Sequence, residues 1–91
     1  MTTVAETLAE RGTRYGEFHE QARISQTLKF EMTHSINWNT LRPDQREALD
    51  MIVHKIARIL NGDPDYADSW HDIAGYATLV EQRLLKGKQT Q

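Results

Sequence analysis

From Pro43 to Leu85 the apolar residues recur with the 3.6-residue period of an amphipathic helix, interrupted once. Leu49, Ile52, Val53, Ile56 and Leu60 form a single stripe. Pro43 suits a first helical position, where no amide donor is needed. Asp44 and Glu47 favour the positive end of the helix dipole. Asn61-Gly62 then stops the helix and Pro64 prevents it from resuming. The pattern predicts a helix over 43–61. A second stripe of Tyr66, Trp70, Ile73, Ala77, Val80 and Leu84 predicts another over about 65–85. The link between them is short, so the two pack as an antiparallel hairpin.

The N-terminal half is less regular. Thr3-Val-Ala-Glu6 is a capping-box pattern, and a short helix is expected from Val4 to Glu10. Gly12 ends it, because glycine accepts a left-handed cap. Residues 12–16 then form a tight, glycine-bracketed loop carrying Arg14 and Tyr15. An imperfect stripe of Phe18, Ala22, Ile24, Leu28 and Met32 predicts a helix from about Glu17 to Thr33. Residues 35–40 read as a polar loop, with Trp38 covering the open end of the core. Residues 86–91 read as a flexible tail. The chain is expected to be one all-α domain over 1–91: a helical hairpin with two N-terminal helices.

Composition adds constraints. At 38% hydrophobic and 26% charged the chain has a globular balance. A chain of 91 residues buries only about 60–65% of its unfolded surface, so the core is thin and a homo-oligomer is expected to complete it. There is no cysteine, hence no disulfide framework and no thiolate metal site. A net charge of -2 gives no attraction to nucleic acid. No apolar run reaches the roughly 20 residues of a membrane span, and the first residues lack the order of a signal peptide. The expected place is the cytoplasm, with neither a nucleic-acid nor a membrane partner.

Candidate chemistry clusters in the hairpin. Asp68, Asp72 and Tyr76 recur every four residues and stack on one flank of the last helix. Lys55 and Arg58 lie near the C-terminal end of the preceding helix, which an antiparallel hairpin brings beside them. Two cations, two carboxylates and a tyrosine then share a small space. One use is a structural ion-pair network, at about 0–1 kcal/mol per surface pair. The other is a ligand site, with cations on phosphates and acids on sugar hydroxyls, base edges or hydrated magnesium. Arg11, Arg14 and Tyr15 form a second constellation, suited either to phosphate recognition or to a local cap and turn. His54, His71 and an acid are a candidate zinc set.

The segments Arg11-Gly-x-Arg14-Tyr15-Gly16-x-Phe18, Glu47-Ala-Leu-Asp50-Met-Ile, Lys55-Ile-Ala-Arg58-Ile and Asp68-Ser-Trp-His-Asp72-Ile-Ala-Gly-Tyr76 together resemble a family of small phage-encoded proteins of unassigned function. That resemblance implies a phage origin and a bacterial host cytoplasm. More loosely, the hairpin is similar to the MazG-type all-helical nucleotide pyrophosphohydrolases, which set two acidic pairs around magnesium. By that likeness Glu47, Asp50, Asp68 and Asp72 would be metal ligands and magnesium the cofactor. Small helical oligomeric phage proteins also include sponges that sequester the nucleotide signals of bacterial immunity.

Three functions follow as expectations. The first is a cofactor-free binder of a nucleotide or nucleotide-derived signal, using Arg11, Arg14, Tyr15, Lys55, Arg58, Asp68, Asp72 and Tyr76, which sequesters its ligand against host immunity. The second is a magnesium-dependent pyrophosphohydrolase. The third is a structural or protein-binding module.

Overall fold

In the computed structural model, which describes residues 2–89, the fold is all-helical. Helix α1 spans Val4–Tyr15, α2 Phe18–Thr33, α3 Pro43–Asn61 and α4 Ala67–Gln89. A single 3-10 turn, Trp38–Thr40, lies between α2 and α3.

The hairpin is as the periodicity predicts, with α3 over the expected residues and α4 antiparallel beside it. Three boundaries differ from expectation. Gly12 does not end α1. The helix runs on to Tyr15 and is closed by Gly16, at φ +77°, whose amide donates to the Gly12 carbonyl. A glycine inside a helix costs only about 1 kcal/mol, and the tertiary contacts at Gly16 outweigh that. Arg11, Arg14 and Tyr15 therefore sit on a helix rather than on a glycine-bracketed loop. Helix α4 starts at Ala67, not at about 65. The Asp63 side chain accepts from the Asp65 amide at 2.9 Å and its carbonyl accepts from Tyr66, holding these residues in a turn. At its other end α4 continues to Gln89, so residues 86–89 are helical and only 90–91 of the expected tail lie outside the described residues.

Two turns are fastened together. Asn61 Nδ2 donates to the carbonyls of Tyr15 and Glu17, both at 2.9 Å. The Asp63 amide donates to the Arg14 carbonyl at 2.7 Å. The backbones approach so closely that a Cβ on Gly16 would overlap the Asn61 carbonyl, and one on Gly62 would overlap Arg14 and Tyr15. Glycine at both positions is thus a packing requirement. The junction of α1 with α2 is locked to the junction of α3 with α4.

Helix α3 is the hub. It packs along α2 on one side and α4 on the other, while α2 and α4 make next to no contact with each other. Near its start Arg46 donates to the Trp38 and Asn39 carbonyls, drawing the 3-10 turn over this end. Trp38 is half-buried there, as expected of a cover. Asp44 takes both donors of Arg83 at 2.7 and 2.9 Å, tying the start of α3 to the late part of α4. The core is thin: the only buried apolar side chains among the described residues are Ala48, Val53 and Ala57, all from α3.

The packed face of α4 is not the stripe of greatest hydrophobicity. Ser69 is buried and Ile73, Tyr76, Val80 and Arg83 are half-buried, whereas Trp70, Ala77 and Leu84 of the predicted stripe are exposed. The helix is rotated because α3 offers Lys55, Ala48 and Asp44 on the facing side. Lys55 and Asp44 bind Asp72 and Arg83, which fixes the phase.

Candidate functional site

One hollow lies against the C-terminal half of α3 and a second is lined by α4 alone, and they share no lining residue. The larger is a cleft of about 570 Å³, within the range of small-molecule sites. The turn at Gly16 brings the end of α1 and the start of α2 against α3, so each contributes one wall. From α1 come Leu8, Arg11, Gly12 and Tyr15, from the turn Gly16 and Glu17, from α2 Phe18 and Gln21, and from α3 His54 and Arg58.

Arg58 is the central group. Its guanidinium lies over the Tyr15 ring, 4.2 Å from the centroid. Its Nε is buried and has no hydrogen-bond partner. Among the described residues Arg58 makes no ion pair, unlike Arg14, Arg23, Lys55 and Arg83. A buried donor without an acceptor costs about 1–3 kcal/mol, so Arg58 lines the cleft as a cation whose Nε is unsatisfied and which no acid pairs among the described residues. His54, one turn before Arg58, feels the same surroundings. Burial is the main cause that lowers its pKa below the ordinary 6.5, with Arg58, Lys29 and Lys55 adding positive charge. The cleft thus combines the cations Arg11 and Arg58 and one acid, Glu17 at the turn, with the apolar walls of Leu8, Tyr15 and Phe18.

The candidates from sequence separate into three groups. Arg11, Tyr15 and Arg58 meet at the cleft. Arg14 points elsewhere: it pairs with Glu10 at 3.1 Å and lies 4.4 Å from the Tyr66 ring. Tyr66 also meets Tyr15 edge-on, with centroids 6.1 Å apart, and its hydroxyl donates to Asp68 at 2.9 Å. That bond raises the Tyr66 pKa. On the other flank Lys55 reaches Asp72 at 3.1 Å, as the hairpin implied. Asp72 and Tyr76 line the second hollow, of about 400 Å³, with His71. The expected mixed-charge site is therefore divided. Lys55 joins Asp72, while Arg58, three residues on, turns to Tyr15.

The acids of the hydrolase reading are dispersed. Glu47 lines a small hollow with Asp44 and Tyr76, Asp68 is engaged by Tyr66, and Asp72 by Lys55. Among the described residues no three acids or histidines gather where they can hold a metal ion. His54 and His71 line different hollows, so the zinc set is not assembled within the chain.

The sequence assigned no ligand role to Phe18 or Gln21, and to His54 only one in a zinc set, yet all three line the cleft. A signal existed for two of them. His54 and Arg58 are four apart and so share a helix face. Phe18 follows the Gly16 turn directly, so it must emerge beside Tyr15. Nothing local marks Gln21, whose place depends on how α2 meets α3.

No helix among the described residues is long and apolar enough to cross a membrane. No curated protein and no solved structure matches the chain at a significant level. One family does match, over residues 1–84, and the chain accordingly belongs to the family of domains of unknown function designated DUF6378.

Proposed function

We propose that this protein binds a nucleotide or a nucleotide-derived signal in the cleft between α1, α2 and α3, and releases it unchanged. The observation that carries the reading is Arg58, whose enclosed Nε lacks an acceptor in a cleft of suitable volume. A phosphate oxygen pairs with the Arg58 guanidinium where it lines the cleft, and a charge-assisted bond of this kind is about twice as strong as a neutral one. Arg11, at the rim, takes a second phosphate oxygen. Tyr15 and Phe18 offer aromatic faces for a base, and Gln21 offers an amide for its edge. Arg14 and Lys55 already have acidic partners, so the phosphates fall to Arg11 and Arg58. Asp68, Asp72 and Tyr76 then serve the fold rather than the ligand.

Binding is favoured over metal-dependent hydrolysis because three of the four acids that hydrolysis needs, Glu47, Asp68 and Asp72, are spread over separate contacts. In a phage-infected cell such a binder would act by sequestering its ligand. That role is part of the proposal and rests on the resemblance to phage-encoded proteins.

A thermal-shift screen of nucleoside mono-, di- and triphosphates and cyclic dinucleotides, with and without magnesium, tests the reading. A ligand at a hundred times its dissociation constant adds about 2.7 kcal/mol of stability. Arg58→Ala and Arg11→Ala should remove the shift, while Asp72→Ala should keep it. After denaturation the ligand should be recovered intact. A cleaved product, or a shift lost with Asp72→Ala and kept with Arg58→Ala, contradicts the proposal.

A further inference from the structure

Helix α3 meets its two neighbours on nearly opposite sides. Ala48 and Lys55 turn to α4, beside Val80 and Asp72. Arg46 and His54 turn to α2 and the turn after it, beside Trp38 and Gln21. At 100° per residue the arc between these two sides, on the face away from Arg58, holds Leu49, Ile52, Ile56 and Leu60. It carries no charged residue from Gln45 to Leu60. Leu49 and Leu60 are 40% and 65% exposed there.

The neighbouring helices extend that face. Asp72 and Leu79 place one flank of α4 on the Arg58 side, with Lys55 and Glu47. The opposite flank, with exposed Trp70 and Leu84, therefore borders the apolar arc. On α2, Phe18 and Lys29 lie on the Arg58 side, which leaves Ile24 and Leu28 at the other margin. The three helices form an open layer, and the uncharged α3 strip in the middle of this face, bordered by Glu81 on α4 and Glu31 on α2, lacks a second layer. A layer of helices is stable when its apolar side is covered.

The whole chain exposes more surface than a compact monomer, through this face and through exposed residues such as Leu8 and Phe18. Its accessible surface is 6914 Å², whereas a folded monomer of 10.5 kDa exposes about 5,400 Å². The excess is about 1,500 Å², against the roughly 800 Å² that each partner buries in a stable complex. We propose that a second copy of this chain covers the Leu49–Leu60 face about a two-fold axis. With the axis through the uncharged α3 strip, that strip is its own complement, since no like charges are brought together along it. The ligand cleft lies on the other side of the layer, so the dimer leaves it open. This inference does not depend on the cleft having a ligand.

Light scattering after size exclusion reads the mass directly. The wild-type chain should elute at twice 10.5 kDa. The double variant Leu49→Glu, Leu60→Glu should raise the dissociation constant at least about 100-fold, to monomer, because both side chains are exposed until the copies meet. Leu79→Glu, 64% exposed on the opposite side, should leave the dimer intact. A wild-type monomer at about 100 µM overturns the proposal. So does a dimer that survives the double variant or is lost with Leu79→Glu. Should the double variant unfold, the wild-type melting temperature decides. It rises with chain concentration if dimerisation and folding are coupled, and independence from concentration overturns the proposal.

Discussion

The guanidinium of Arg58 is held over Tyr15 with one donor enclosed and unbonded. Its stacking contributes about 0.5–2 kcal/mol, and the unmet donor costs about 1–3 kcal/mol. The two nearly cancel, so Arg58 adds little to folding. Arg58→Met keeps the stem and removes both effects. Chemical denaturation should show its stability within about 1 kcal/mol of wild type, while nucleotide binding is lost. His54 gives a second reading of the same environment. Its folded pKa is below the unfolded 6.5, so the unfolded chain takes up the proton first. Above 6.5 the group contributes nothing to the pH dependence, and as pH falls below 6.5 stability declines until the folded pKa is passed. Denaturation at about pH 7.5 and 5.5 should show a smaller loss for His54→Gln than for wild type. An equal loss in both proteins would contradict the depressed pKa. Of these two residues the sequence alone suggested Arg58 as a phosphate holder, because it is a cation. It did not suggest Arg58 with Tyr15, because that pairing needs the end of α1 to reach α3 across 42 intervening positions.

At the level of elements, local signals governed some boundaries and distant contacts the others. Helix α3 was legible because Pro43 and Asn61-Gly62 act within a few residues of themselves. The end of α1 was not, because Gly16 is selected by Asn61, far along the chain. The phase of α4 was misread for a related reason. Hydrophobicity pointed to Trp70, Ala77 and Leu84, but the ion pairs of Asp72 and Arg83 turned another face to α3. The glycines separate the two kinds of constraint. Gly75 has open space where a Cβ would go, so Gly75→Ala should stabilise α4 by about 0.5–1 kcal/mol. Gly16→Ala and Gly62→Ala should each destabilise by about 2 kcal/mol or more, since backbone atoms would have to move apart. Urea midpoints of the three variants check this. A neutral Gly62→Ala would show that the two turns are not locked together.

The whole molecule is more extended than its length requires. Its radius of gyration is 15.8 Å, against about 12 Å for a compact chain of this size. An open layer around α3 accounts for the difference, and it gives the two sides of the protein different characters. The side with the uncharged α3 strip suits a second copy, and the side carrying Arg58, His54 and Tyr15 suits an anion with an aromatic part. Chain length and composition already implied an incomplete core. The layer that leaves it incomplete was not legible, because each helix has an apolar stripe and only the packing decides which stripe is used. The central claim is that a nucleotide phosphate meets Arg58. It is tested most directly by following the Arg58 Nε–Hε resonance by nuclear magnetic resonance during titration with the nucleotide that stabilises the protein most. A phosphate acceptor should move that resonance downfield, together with a rise in the His54 pKa. Unchanged Arg58 and His54 signals, or shifts confined to Asp72 and Tyr76, would contradict the account.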